Sequence, residues 1–154
     1  MSRPRRLANF DYRGAHLYFI TMCAGGRRRL FDDPTIVDAI TSQLLRTADE
    51  RGFDLLAFTF MPDHVHLLVR GRHDARLQSF LKLVRQRSAM AIRSGRRALW
   101  QDGVFEHVLR REESAEAIAR YIADNPVRAG LVERAETWPW SGGSMLDALW
   151  RRAK

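Results

Sequence analysis

Two imidazoles stand two residues apart in the stretch Phe60-Met61-Pro62-Asp63-His64-Val65-His66-Leu67-Leu68-Val69. The Val and Leu content of residues 64–69 reads as a strand, and a period of two sends His64 and His66 to one face and Val65, Leu67 and Val69 to the other. Same-side neighbours on a strand lie about 6–7 Å apart, so two neutral imidazoles at that spacing can share one cation. The competing reading is a pair of histidines on a solvated strand face. His-x-His by itself does not separate the two.

A second candidate lies downstream, in Arg120-Tyr121-Ile122-Ala123-Asp124-Asn125-Pro126-Val127-Arg128-Ala129-Gly130-Leu131-Val132. A helix starting at Ser114 would have Ile118 and Ile122 as its apolar stripe. At 100° per residue, Tyr121 and Asn125 fall within about 40° of each other beside that stripe, so a phenol and an amide project together. Pro126 disfavours helical geometry at Asn125, which puts the asparagine in the last turn. A packed tyrosine and a helix-ending asparagine would account for the same residues.

Taken in this order, Met-Pro-x-His-Val-His-Leu-Leu and, about fifty residues later, Tyr-x-x-x-Asn-Pro-Val-Arg-Ala-Gly-Leu resemble the REP-associated tyrosine transposases, single-tyrosine members of the His-hydrophobe-His endonuclease superfamily. The likeness runs from about His16 to Trp138-Pro139-Trp140-Ser141. It implies His64, His66 and Asn125 as ligands of a cation and Tyr121 as nucleophile. It implies a single-stranded DNA substrate near an imperfect palindromic hairpin, cut to leave a 5′-phosphotyrosine. Two imidazoles, an amide oxygen and open positions suit Mg²⁺ or Mn²⁺, and the lack of thiolates argues against structural zinc, although zinc on His-His-Asn stays open. After Trp140 the chain reads Ser-Gly-Gly-Ser, where the resemblance leads one to expect a second serine. Two rival readings stand beside it: a non-catalytic hairpin-binding module, and a phosphodiesterase in which water attacks and Tyr121 only packs.

The surrounding elements must position these groups. His16 to Cys23 is rich in aromatic and β-branched residues and reads as a buried strand ending at Gly25-Gly26. Asp33-Pro34 starts a helix, Ile36, Ile40, Leu44 and Ala48 give its apolar face, and Gly52 closes it. Phe53 to Met61 reads as a strand that forms a hairpin with the histidine strand through Pro62-Asp63. Asp74 is the expected cap of a second helix carrying Leu77, Phe80, Leu81, Val84, Ser88 and Ala91 and ending at Gly95. Val104 to Arg110 alternates as a strand and puts His107 beside Phe105 and Leu109, with its role open. This order is α+β, a ferredoxin-like antiparallel sheet (βαββαβ) plus a C-terminal helix carrying the tyrosine. The first and third strands should be central, and both histidines should leave the face that the first two helices do not cover.

At 154 residues the chain suits one domain over 1–154, with a basic arm at 1–13 and an irregular tail at about 133–154. All but two of its 26 Lys and Arg residues are arginine, and the formal charge is +8, so attraction to a polyanion is expected. Codon bias toward arginine explains part of this equally well. Nucleic-acid candidates are Arg3, Arg5, Arg6, Arg27, Arg28, Arg29, Arg85, Arg96, Arg97, Trp100 and Arg128, with Trp100 as a stacking surface. For Arg128, helix capping is the alternative, and for the second helix a merely wet face. Cys23 is the only cysteine, which excludes an intrachain disulfide. No signal peptide or membrane span is legible, so the chain reads as cytoplasmic, and the resemblance implies nucleoid association and a monomer or homodimer.

Overall fold

The computed structural model describes residue 7 and residues 10–93, 95, 97–110 and 113–154. Arg3, Arg5, Arg6 and Arg96 lie outside the described residues. The elements run β1 (Leu17–Cys23), α1 (Pro34–Arg51), β2 (Phe53–Met61), β3 (His64–Gly71), α2 (Leu77–Ala91), β4 (Phe105–Val108), α3 (Ala115–Ala123), α4 (Asn125–Arg128), β5 (Ser141–Gly142) and α5 (Ser144–Arg152). The sheet order is β4-β1-β3-β2-β5, antiparallel throughout. The ferredoxin-like arrangement is thus present, with β1 and β3 central as expected and a short fifth strand added beyond β2.

Local chemistry explains most boundaries. The Asp33 side chain accepts from the Thr35 amide, Pro34 stands at the start of α1, and Gly52 takes φ 77° at its end. Ser114 caps α3 by accepting from the Ala117 amide. In α2 the expected face Leu77, Phe80, Leu81, Val84 and Ser88 is buried, but the element begins later than the Asp74 expectation and ends short of Gly95. Asp74 sits at φ 60°, and no side chain caps the helix start at Arg76. The two-residue link Pro62-Asp63 joins β2 to β3 in the expected hairpin.

The sheet has two different faces. Tyr18, Ile20, Met22, Phe53, Phe58, Phe60, Val65, Leu67 and Val69 bury against α1 and α2 around Ile40, Leu44, Phe80, Leu81 and Val84. On the other face Leu56, Ala57 and Leu68 meet Ala119, Ile122 and Ala123 of α3 and Leu146 and Leu149 of α5. An irregularity in β2 between Leu55 and Ala57 makes this second contact possible, since the extra residue lets consecutive Leu56 and Ala57 both serve it.

The tail expected to be irregular instead holds β5 and α5. Met145, Leu146, Leu149 and Trp150 recur at helical spacing and pack on the second face. The glycine pair makes the approach feasible. A Cβ on Gly142 would meet the Phe58 ring at 2.9 Å, and one on Gly143, at φ 112°, would meet the Leu56 carbonyl oxygen at 2.5 Å. Gly-Gly after Ser141 is therefore a packing requirement of the β2 edge. No helix among the described residues is long and apolar enough to cross a membrane.

Candidate active site

The face that α1 and α2 leave uncovered carries a cleft of about 430 Å³ lined by Thr21, Cys23, Arg27, His64, His66, Gln101, Asp102, Gly103, Phe105, Tyr121 and Asn125. The four residues expected to do chemistry, His64, His66, Tyr121 and Asn125, all line it. Strand β3 supplies the imidazoles, and α3 with the turn after it supplies the phenol and amide. The two elements meet because Ile122 and Ala123 pack on Leu68 next to the histidines.

The imidazoles are tightly oriented. His64 Nδ1 lies 2.7 Å from Asp63 Oδ1, His66 Nδ1 lies 2.8 Å from Thr21 Oγ1, and the two Nε2 atoms converge at 3.1 Å. The register pairs Thr21 with His66 and Cys23 with His64 across β1 and β3, which fixes these neighbours. Phe19 stacks on His66 at 5.5 Å between centroids and meets the Tyr121 ring edge-on at 6.3 Å, so one phenyl stands between the phenol and the imidazole. Burial pushes the His66 imidazole down from 6.5 to about 3, and the nearby His64, Arg128 and Arg27 charges add to this. A neutral His66 is the form that can donate a lone pair. For Asp63, burial works against the charged form, yet hydrogen bonds from His64 and Arg27 hold the carboxyl below its ordinary range.

Tyr121 is half exposed, with a relative accessibility of 51%. It is not sealed in packing. Arg128 lies over its ring, with Cζ 4.1 Å from the centroid, and donates through Nη2 to the Tyr121 carbonyl at 2.9 Å. Arg128 therefore caps the helix and braces the tyrosine together. α3 ends at Ala123, Asp124 keeps right-handed helical angles and Asn125 opens α4, so Pro126 does not take Asn125 out of helical geometry as expected. Its Nδ2 donates to the carbonyls of Tyr121 and Ile122 at 3.3 and 3.2 Å, which turns its oxygen away from the helix end.

The donor chemistry fits a hard divalent cation. Two neutral imidazole nitrogens and an amide oxygen would leave positions for phosphate and water oxygens. Among the described residues no three His, Cys, Asp or Glu side chains converge as a metal cage, so a cation held here would need an amide or substrate oxygen besides the imidazoles.

The basic candidates divide. Arg27 borders the cleft and donates from Nε to Asp63 at 2.9 Å. Arg28 turns inward to the Gly25 and Ala98 carbonyls, and with Arg97 it lines a shallow depression outside the cleft. Arg29 pairs with Asp32, and Arg85 donates to the Gln101 carbonyl. Trp100 requires a correction. It is buried at 5% accessibility, its indole N–H donates to Ser88 Oγ at 2.8 Å, and its ring meets Phe31 in the core, so only an edge of it borders the groove along α2 and its face is not free to stack on a base. Its neighbours misled because Ala24 bridges to Trp100, turning the side chain inward while Arg97 stays on the surface.

Asp63, Thr21, Phe19 and Cys23 belong to the site but were not picked out as such from sequence. Period-two alternation would have put Phe19, Thr21 and Cys23 on one face of β1, but only the register shows that it is the histidine face. His107, left open, bonds the Glu113 carboxylate at 3.0 Å and ties β4 to the entry of α3.

The model of the IS200-like transposase family matches residues 14–125. A Haemophilus influenzae protein named among the REP-associated tyrosine transposases is 27% identical over 154 residues, covering 92% of this chain and 85% of the relative. The REP-associated tyrosine transposase of Escherichia coli K12 is 24% identical over 142 residues, covering 92% and 82%. The fold superposes on a REP-associated tyrosine transposase solved bound to a REP hairpin with a TM-score of 0.74, 23% identity and coverage of 92% and 82%. Strands β1 to β4, the histidine strand among them, and the tyrosine helix α3 lie within the matched residues, and the chain belongs to the IS200-like transposase family.

Proposed function

We propose that the protein is a divalent-metal-dependent, single-stranded DNA endonuclease and strand transferase that acts near hairpins through a covalent 5′-phosphotyrosine. The observation that carries this reading is the gathering of His64, His66, Tyr121 and Asn125 in one cleft of one chain. The hairpin bound to the superposed REP-associated tyrosine transposase supports the same class of substrate here.

His64, His66 and Asn125 would hold Mg²⁺ or Mn²⁺, and when bound the ion supplies Lewis-acid polarisation of a phosphate oxygen. Tyr121 attacks the scissile phosphorus in line: its oxygen forms the new P–O bond, the bond to the sugar 3′ oxygen breaks, and that oxygen leaves as the 3′-hydroxyl after gaining a proton. The phenolic proton passes to solvent, which the half-exposed ring can reach. Because a phosphodiester is retained, a second 3′-hydroxyl can attack it and expel Tyr121, so joining needs no nucleotide cofactor. Arg128 braces the ring and adds positive charge beside the reacting phosphate, and Arg27 adds charge from the turn after β1.

Beyond the cleft, Gln101, Asp102 and Gly103 lead past Arg85 and Lys82 to a groove of about 440 Å³ along α2. Arg85 there, with Arg28, Arg29 and Arg97 on the adjoining loops, would carry the phosphates of the DNA flanks. Having both histidines and tyrosine on one protomer supports a site completed in cis.

Incubation with end-labelled hairpin DNA bearing a single-stranded flank and Mn²⁺, followed by denaturing electrophoresis, tests the reading. A covalent adduct that disappears in Tyr121→Phe is the expected result. Cleavage without an adduct assigns the attack to water, and tight binding with neither leaves a binding module.

A further inference from the structure

We propose that Asp63 is a positioning residue for the metal site: its carboxylate locks His64 into the tautomer that presents Nε2 to the ion, and Arg27 holds the carboxylate in place. This rests on the metal reading above.

The two imidazoles are not equally constrained. An ionised carboxylate only accepts, so the 2.7 Å contact of Asp63 with His64 places the proton on Nδ1 and the lone pair on Nε2. His66 faces the Thr21 hydroxyl, which both donates and accepts, so either tautomer satisfies that contact. Two lone pairs facing at 3.1 Å would repel, so in the free protein the Nε2–Nε2 contact is a His66 N–H donating to His64. His64 is thus the imidazole whose lone pair is fixed in advance. Asp63 is what fixes it.

Asp63 is itself restrained. Its second oxygen takes Arg27 Nε at 2.9 Å, and its carbonyl accepts from the Ala24 amide at 2.8 Å. Arg27 adopts φ 54°, a left-handed conformation that is unfavourable for a non-glycine residue. Its Nη1 also donates to Cys23 Sγ at 3.1 Å, which ties the chain Arg27–Asp63–His64 back to β1. An aspartate needed only for a tight turn would not require a strained arginine directed at its carboxylate.

The test compares Asp63→Ala and Asp63→Asn with the wild type, all purified metal-free. Mn²⁺ affinity is read by calorimetry, and the His64 tautomer by ¹⁵N imidazole NMR of the free protein. Loss of such a carboxylate partner weakens metal binding about 10–100-fold. Asp63→Ala is expected in that range, with His64 moving from Nδ1–H to a mixture. Asp63→Asn, whose amide oxygen still accepts from Nδ1–H, should lose affinity only by about a few fold and keep the tautomer. Arg27→Ala should fall between the two. A purely structural role would lower the unfolding midpoint but leave both readouts of the folded protein unchanged, and that result overturns the proposal. Wild-type protein that binds no Mn²⁺, or binds it equally well after His64→Ala with His66→Ala, overturns the metal reading itself. Histidine-dependent binding that Asp63→Ala leaves intact overturns only the role of Asp63.

Discussion

On the side of the sheet where Val65, Leu67 and Val69 point, the packing is mostly apolar and almost nothing reaches solvent, whereas one residue further along the same strand His64 and His66 open into a polar cleft. The first side is closed by two helices of 18 and 15 residues. The second is closed by helices of nine residues each, and these cover only part of it. Stability and chemistry are therefore divided between the faces of one strand. The long helices bury enough surface to hold the sheet, which frees the short ones to leave Tyr121 half exposed and Phe19, Thr21 and the imidazoles aligned around an open space.

If that division is right, substitutions ranked by their cost in stability should appear in nearly the reverse order when ranked by their cost in DNA cleavage. Leu67→Ala removes a fully buried side chain from the closed face and should destabilise by about 2–5 kcal/mol in urea unfolding, while the fraction still folded keeps its metal affinity. Acid comes next. The folded-state pKa of His66 lies near 3 and its ordinary value is 6.5, so between those limits the unfolded chain binds more protons. Stability should then fall as pH drops through 6.5, by up to about 1.4 kcal/mol per pH unit, and level off below about 3. Metal-free His66→Gln should show a shallower loss between pH 7 and 5, and equal slopes would refute the buried, neutral histidine.

Trp100→Phe sharpens the contrast from the other direction. It removes the hydrogen bond to Ser88 from the closed side and should cost about 1–2 kcal/mol with DNA affinity unchanged. A fall in affinity at unchanged stability would restore the stacking role. Tyr121→Phe stands at the small end of the stability scale, within about 0.5 kcal/mol because the hydroxyl is on an exposed ring, and at the large end of the activity scale, with the covalent adduct abolished. A tyrosine whose loss unfolded the protein would belong to packing instead.

Much of this division could be read in the residues themselves. Alternation in β3 assigned its two faces, proline and asparagine marked the end of the tyrosine helix, and Asp33-Pro34 with Gly52 bracketed α1 because caps are local chemistry. Long-range pairing was not legible. The contacts of Thr21 with His66 and of Trp100 with Ser88 link positions 45 and 12 residues apart, and no short-range rule selects them. The tail was missed for a related reason: Met145, Leu146, Leu149 and Trp150 make a short helix that is favourable only once Leu56 and Ala57 offer a surface. Asp74 resembled a cap by composition but took a left-handed backbone conformation instead.

The short strand β5 also has a role away from the chemistry. Its two residues, the Phe60 amide donating to the Trp140 carbonyl, and the Trp138 indole on the Phe60 carbonyl occupy hydrogen-bonding groups along the outer rim of β2. A chain cut before Trp138 would keep both imidazoles and the tyrosine, yet it would bare a nine-residue, largely apolar ribbon ready to zip onto another molecule. Such a truncation should fail first by clumping at high concentration, while dilute protein still takes up metal.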